Sequence, residues 1–307
     1  MTDLKVRAAG VDFQNPIVLA AGTAAFGRAL DGVVQLDALG GVVTKAVSLA
    51  PRKGNAAPRV AEFDGGMLNA IGLANPGIAA VKRTELPWLA ANVTRARVIV
   101  NVVADRAEDF AQVVRELDDS AVITAYELNV SCPNVKTGGT EFGADVGTLA
   151  AVVTGARAAT SKPIFVKLSP TLPDIGGAAR VAADAGADGV TVINTIPGLV
   201  IDVETRRPRI GFGSGGVSGA ALLPVGVLAT YRVRRAVDIP IMGVGGVSSA
   251  TDALQYLIAG ASLVAIGTAA LRDPRAPERI VRDLDRWCTK HSVASVAELV
   301  GSLEWTQ

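Results

Sequence analysis

Eight short runs of apolar, β-favouring residues recur along the chain: IVLAAG (17–22), GVVTKAVS (41–48), VIVNVVA (98–104), YELNVSC (126–132), PIFVKLS (163–169), GVTVINT (189–195), IPIMGVGG (239–246) and LVAIGTA (263–269). Most are continuously apolar rather than alternating, the pattern of parallel strands covered on both faces. Between them lie stretches with helical spacing and Ala, Arg and Glu content, among them 107–119, 174–186 and 250–260. Eight alternations of strand and helix predict an α/β fold, a (β/α)8 TIM barrel over residues 1–307 as one domain, with a doubly wound sheet as the alternative.

Two intervals are too long for a single crossover helix, residues 49–97 after the second strand and 196–238 after the sixth. Both begin where a strand ends, so inserted loops are expected on the C-terminal face, which carries the active site in such barrels. The Gly, Asn and Pro content of 53–77 predicts an ordered loop. The opening LKVRAAGVDFQNPI predicts an N-terminal hairpin around Ala9 and Gly10 that closes the barrel's other end. The longest uncharged stretch, residues 210–231, holds six glycines and a proline, which predicts a loop rather than a membrane helix. Charges at Asp3, Lys5, Arg7 and Asp12 and the lack of an apolar run argue against a secretory signal, so a cytoplasmic location is expected.

A formal net charge of +1 gives no broad field to recruit nucleic acid or an anionic membrane surface, so partners must be recognised locally. The two cysteines, Cys132 and Cys288, stand 156 positions apart and form no CxxC or Cys/His cluster. Neither a structural disulfide nor a metal site is expected, and any iron–sulfur chemistry would belong to another subunit.

Side chains at the carboxyl ends of the strands converge on one mouth: Lys45, Asn101, Asn129, Cys132, Lys167, Asn194 and Thr195, then Gly245 with Gly246, and Gly267 with Thr268. Glycines after strands 7 and 8 expose bare backbone N–H groups to a phosphate, or they merely turn the chain. Lys45 and Lys167 sit inside apolar strands, where an ammonium needs a negative partner. They suit Schiff-base chemistry, neutralisation of a bound anion, or a simple reach to solvent. The asparagines can donate and accept toward a planar amide, or cap strand ends. His291, the single histidine, lies far from any strand end, which leaves Cys132 as the group best placed to act as a base. Its thiol titrates near neutrality when cations favour the thiolate, although a strand cysteine also serves as a small buried hydrophobe. Cys288 reads as packing.

NVSCPN with the following VKTGG, together with GNAAPRVAEFDGGMLNAIGLANPG, FVKLSP, INT, GGVSG, MGVGG and AIGTA, closely resembles the class 1B dihydroorotate dehydrogenases, specifically their flavin mononucleotide-bearing catalytic subunit, in order over nearly the whole chain. The resemblance implies that Cys132 takes a proton from C5 of dihydroorotate while hydride leaves C6 for the flavin, with Lys45 and Lys167 as the other catalytic groups. It implies that Lys45, Asn69, Ala70, Ile71, Gly72, Leu73, Asn129, Asn194 and Thr195 hold the substrate. It assigns contacts with one non-covalent FMN to Ala21, Lys45, Ala46, Asn101, Asn129, Lys167, Ile193, Gly219, Gly245, Gly246, Gly267 and Thr268. It further implies a homodimer within a heterotetramer, whose partner subunit carries FAD and a [2Fe–2S] cluster and passes electrons to NAD. Ala21 stands where the family's serine is usual, and IPGLVID replaces the familiar stretch after INT. The alternatives are a fumarate-using class 1A activity, a relative acting on free dihydropyrimidine bases, a flavin-free Schiff-base lyase with Lys167, and a barrel kept as a scaffold.

Overall fold

The eight apolar runs form the eight strands of a closed parallel barrel in a computed structural model that describes residues 2–131 and 142–305. They are β1 (Ile17–Leu19), β2 (Gly41–Val43), β3 (Arg97–Val102), β4 (Ile123–Asn129), β5 (Ile164–Leu168), β6 (Gly189–Val192), β7 (Ile241–Val244) and β8 (Leu263–Ile266). Each pairs in parallel with the next, and β8 pairs back with β1, so the sheet has no edge. Nearly every residue of these strands is buried, because inward side chains fill the barrel and outward ones meet helices.

The crossover helices are α1 (Leu86–Asn92), α2 (Ala107–Leu117), α3 (Val146–Arg157), α4 (Ile175–Asp184), α5 (Leu223–Arg234) and α6 (Ala250–Ala259), with α7 (Thr268–Arg272) and α8 (Ala276–Lys290) after β8. In α2 the buried positions Phe110, Val113, Val114 and Leu117 follow the 3, 4, 7 spacing that puts one apolar stripe on the barrel. The alternation fails once. Between β1 and β2 the described chain has two short 3-10 turns, Arg28–Leu30 and Leu36–Ala38, in place of a helix. Gly22, Gly27 and Gly32 take φ of 80°, 91° and 72°, and a left-handed residue every fifth position cannot propagate a right-handed helix.

The hairpin is where it was expected: Val6–Ala8 pairs with Val11–Phe13 around Ala9 and Gly10, at φ 51° and 76°. Arg97, the first residue of β3, donates to the Asp12 carbonyl at 2.8 Å, so the hairpin covers the N-terminal end of the barrel. At that end Asp37 accepts hydrogen bonds from Thr94 N, Thr94 Oγ1, Arg95 N and Ala96 N at 2.7–3.0 Å. Burial pushes its carboxyl up, but the donors, led by Ala96 N and Arg95 N, outweigh it and hold the pKa at about 2 against an ordinary 3.8. A depressed carboxyl stabilises the fold above its unfolded value and loses that contribution as pH falls toward its folded value. Acid titration of unfolding free energy should therefore show an Asp37-dependent loss between about pH 4 and pH 2, present in the parent and missing in Asp37→Asn.

The two insertions are more than loops. Val60–Phe63, Gly66–Asn69, Gly215–Ser218 and Ile196–Gly198 form one four-stranded antiparallel sheet, with Gly216 opposite Asn69 and Val217 opposite Leu68. The first pair is a hairpin turning at Asp64 and Gly65, with Gly65 at φ 85°, the Asp-Gly signal of a tight turn. Residues 210–231, expected as a loop, hold one of these strands and most of α5, whose Pro224 suits the first turn of a helix. Among the described residues no helix is long and apolar enough to cross a membrane.

Candidate active site

The sheet of the two insertions roofs a cavity of about 780 Å³ at the C-terminal ends of the barrel strands. Its floor includes Ala21, Lys45, Ala46, Asn101, Asn129, Lys167, Ile193, Asn194, Thr195, Gly245, Gly246, Gly267 and Thr268, and its roof includes Asn69, Ile71, Gly72, Leu73 and Gly219. Every expected site residue is thus on one cavity except two. Ala70 is buried and packs with Ala61, Leu68 and Ile210 away from the cavity. Cys132 lies outside the described residues. His291 stacks on Trp287 at 4.1 Å on the surface, and Cys288 is fully buried on α8, where burial and then Asp285 push its thiol up.

Strand register sets the floor. Asn129 pairs with Lys167 across β4 and β5, Lys167 with Thr191 across β5 and β6, and Asn101 with Glu127 across β3 and β4. Inward positions recur every second residue, so Glu127 and Asn129 point the same way at successive heights. Asn101 Nδ2 donates to Glu127 Oε1 at 2.6 Å and Thr191 Oγ1 donates to Oε2 at 2.8 Å, while Lys167 Nζ stands 4.0 Å from Oε1. One level higher, Asn194 Nδ2 donates to Ser131 Oγ at 2.8 Å, Ser131 Oγ donates to Asn129 Oδ1 at 3.2 Å, and Thr195 N donates to Asn194 Oδ1 at 2.8 Å. Ser131 is the last described residue before Cys132.

Glu127 and Thr191 were missed in the sequence, although a carboxylate within the apolar run YELNV carries the same signal that singled out the lysines. Arg59 was missed too. Lys45 is lowered from its ordinary value, chiefly by burial and then by the Arg59 charge. Neither cation has a carboxylate within ion-pair distance among the described residues. Asn55 pins this corner: it donates to the Ile71 and Ala70 carbonyls at 3.1 Å each, and its own carbonyl accepts from Arg59 Nε at 2.6 Å.

The glycine end is built around Tyr256. Its ring lies under Gly243 and its hydroxyl under Gly226, where an added Cβ would lie 2.3 Å from Cδ1 and 1.8 Å from the hydroxyl oxygen, and that hydroxyl donates to the Gly245 carbonyl at 2.7 Å. Gly245 and Gly246 take φ of 134° and 74°, open only to glycine at low cost. Across the cavity Thr268 Oγ1 donates to Ser218 Oγ at 2.8 Å, tying the end of β8 to the roof.

The family model described as dihydroorotate dehydrogenase matches residues 3–287. The "Dihydroorotate dehydrogenase B (NAD(+)), catalytic subunit" of Pelobacter propionicus is 45% identical over 98% of this chain and 99% of its own. The protein of the same name from Geobacter sulfurreducens is 43% identical over 98% of each chain. A Solibacter usitatus protein named "Putative dihydroorotate dehydrogenase A (fumarate)" is 45% identical over 96% of this chain and 97% of its own. With a cavity at the C-terminal mouth of a closed barrel and similarity that runs end to end, the chain belongs to the dihydroorotate dehydrogenase family of flavin-dependent oxidoreductases.

Proposed function

We propose that the chain oxidises (S)-dihydroorotate to orotate in pyrimidine synthesis, with one FMN held non-covalently in the barrel mouth. The floor fits that group. Asn101, Asn129 and Lys167 line the cavity with polar side chains suited to a heteroaromatic ring, and Gly245 and Gly246 form a bare backbone cradle suited to a phosphate. A volume of about 780 Å³ suits a cofactor ring with a small planar substrate beside it. Bound FMN supplies a two-electron acceptor for the hydride that leaves C6.

The protein's own groups do the rest. Cys132 accepts the C5 proton, Lys45 meets the substrate carboxylate, and Asn69, Asn129, Asn194 and Thr195 fix the amide edges of the ring. Lys167 would offset negative charge on a reduced cofactor, and Gly219, Gly267 and Thr268, which line the same cavity, would help to hold it.

The half-buried Lys45 ammonium on the cavity lining, with no carboxylate within ion-pair distance among the described residues, carries this reading, because an anionic dihydropyrimidine compensates it and a neutral one does not. Steady-state turnover with dihydroorotate should therefore exceed that with dihydrouracil by at least about 10²-fold, the effect of a charged hydrogen bond worth roughly 3 kcal/mol. A preference for dihydrouracil would sink the assignment. Electrons then pass to NAD+ through a partner subunit carrying FAD and a [2Fe–2S] cluster, in a heterotetramer built on a dimer of this chain. The names of the Pelobacter and Geobacter relatives support that acceptor, and the Solibacter name supports fumarate as the second reading. Anaerobic reduction by dihydroorotate followed by mixing with fumarate, or with NAD+ and the partner, separates the two.

A further inference from the structure

Two groups of the cavity floor, Asn101 and Lys167, and the buried Thr191 meet at a carboxylate that the chemistry above leaves unused. Glu127 is 1% exposed, and all its polar contacts are inside the barrel: Asn101 Nδ2 at 2.6 Å and Lys167 Nζ at 4.0 Å on Oε1, and Thr191 Oγ1 at 2.8 Å on Oε2. A charge this deep is retained only where partners surround it. Its effect on each neighbour differs.

Asn101 has committed its amide nitrogen to Glu127, which fixes the side chain at the edge of the cavity that the residue lines. Lys167 stands too far from Oε1 for a short hydrogen bond, and no other carboxylate comes within ion-pair distance of it among the described residues. Its ammonium is thus partly compensated, and its donors stay available to a ligand.

We propose that Glu127 is a positioning residue of the flavin site, which holds the Asn101 amide in place on the cavity floor and sets how strongly Lys167 favours the reduced cofactor. This rests on the flavin reading given above. Two electrons and one proton convert the neutral oxidised ring into a reduced ring with one negative charge. A nearby ammonium favours that product and a nearby carboxylate opposes it. In a dithionite titration the electrons come from dithionite and the proton from solvent, so substrate turnover is not needed to read the effect.

Glutamine at 127 keeps the shape. Its carbonyl can accept from Asn101 and its nitrogen can donate to the Thr191 hydroxyl, so only the charge is lost. E127Q should bind reduced FMN, relative to oxidised FMN, at least tenfold more favourably than the parent does, a rise in potential of at least about 30 mV for a two-electron couple. K167Q should shift the potential in the opposite direction, and E127Q/K167Q should return toward the parent, the signature of one coupled pair. An E127Q potential equal to the parent's overturns the role of Glu127. If E127Q alone does not fold, K167Q is compared with E127Q/K167Q, which carries no unpaired buried charge; equal potentials again overturn the proposal. Failure of the parent to take up FMN at all sinks the flavin reading instead, so the two failures are distinguishable.

Discussion

Cys132→Ala is expected to slow oxidation of dihydroorotate by roughly 10²- to 10⁴-fold at neutral pH, the usual contribution of a positioned base, with FMN still bound. The loss follows from the proposed role of Cys132, and the other candidate bases are poorly placed. The only histidine is exposed and stacked on Trp287, the second cysteine is fully buried on α8, and Glu127 is occupied by three partners. Cys132 follows directly on Ser131, which is bonded to both Asn129 and Asn194. A thiol can reach its thiolate near neutrality, whereas a serine hydroxyl does not. Cys132→Ser should therefore regain activity only as pH rises. Stopped-flow reduction of the bound flavin by dihydroorotate reads both variants; a Cys132→Ala rate matching the parent's would reassign the base.

Gly246→Ala is expected to weaken FMN binding by about 10²-fold or more. Two costs combine. The residue sits at φ 74°, which costs an L-residue roughly 1–2 kcal/mol, and its new Cβ would lie 2.3 Å from Leu223 N, backbone that cannot rotate aside. Relief requires the loop after β7 to move off the start of α5, which spoils the cradle shared with Gly245. Fluorescence titration of the apoprotein with FMN measures the loss, and a thermal melt of the apoprotein separates it from unfolding. Affinity equal to the parent's would remove this glycine pair from the phosphate site.

Much of this was legible in the chain because parallel strands buried on both sides leave uninterrupted apolar runs, and polar residues that end such runs must face the mouth. Lys45, Asn101, Asn129 and Lys167 were found that way. Glu127 escaped because it stands inside its strand, two residues before the end, whereas the mouth residues were read from the strand ends. Arg59 escaped because it belongs to an insertion, where no strand end marks it and only the folded chain brings its charge to Lys45. The roof sheet was hidden for a related reason: the Gly-Gly and Gly-Ser steps that allow close pairing there, such as Gly216 over Thr195, resemble turn residues in a linear reading. The missing first helix was lost to the regularity of the barrel pattern itself, despite Gly22, Gly27 and Gly32.

The pairing of Asn69 with Gly216 spans 147 residues, so the roof is a contact between distant halves of the polypeptide. During synthesis an emerging chain can complete several floor strands long before the second half of that roof leaves the ribosome. Contacts of such high order form late, after the loop-closure entropy has been met. A nascent chain lacking its final third therefore has neither the central roof strand Gly215–Ser218, which joins the two insertions, nor the glycine cradle.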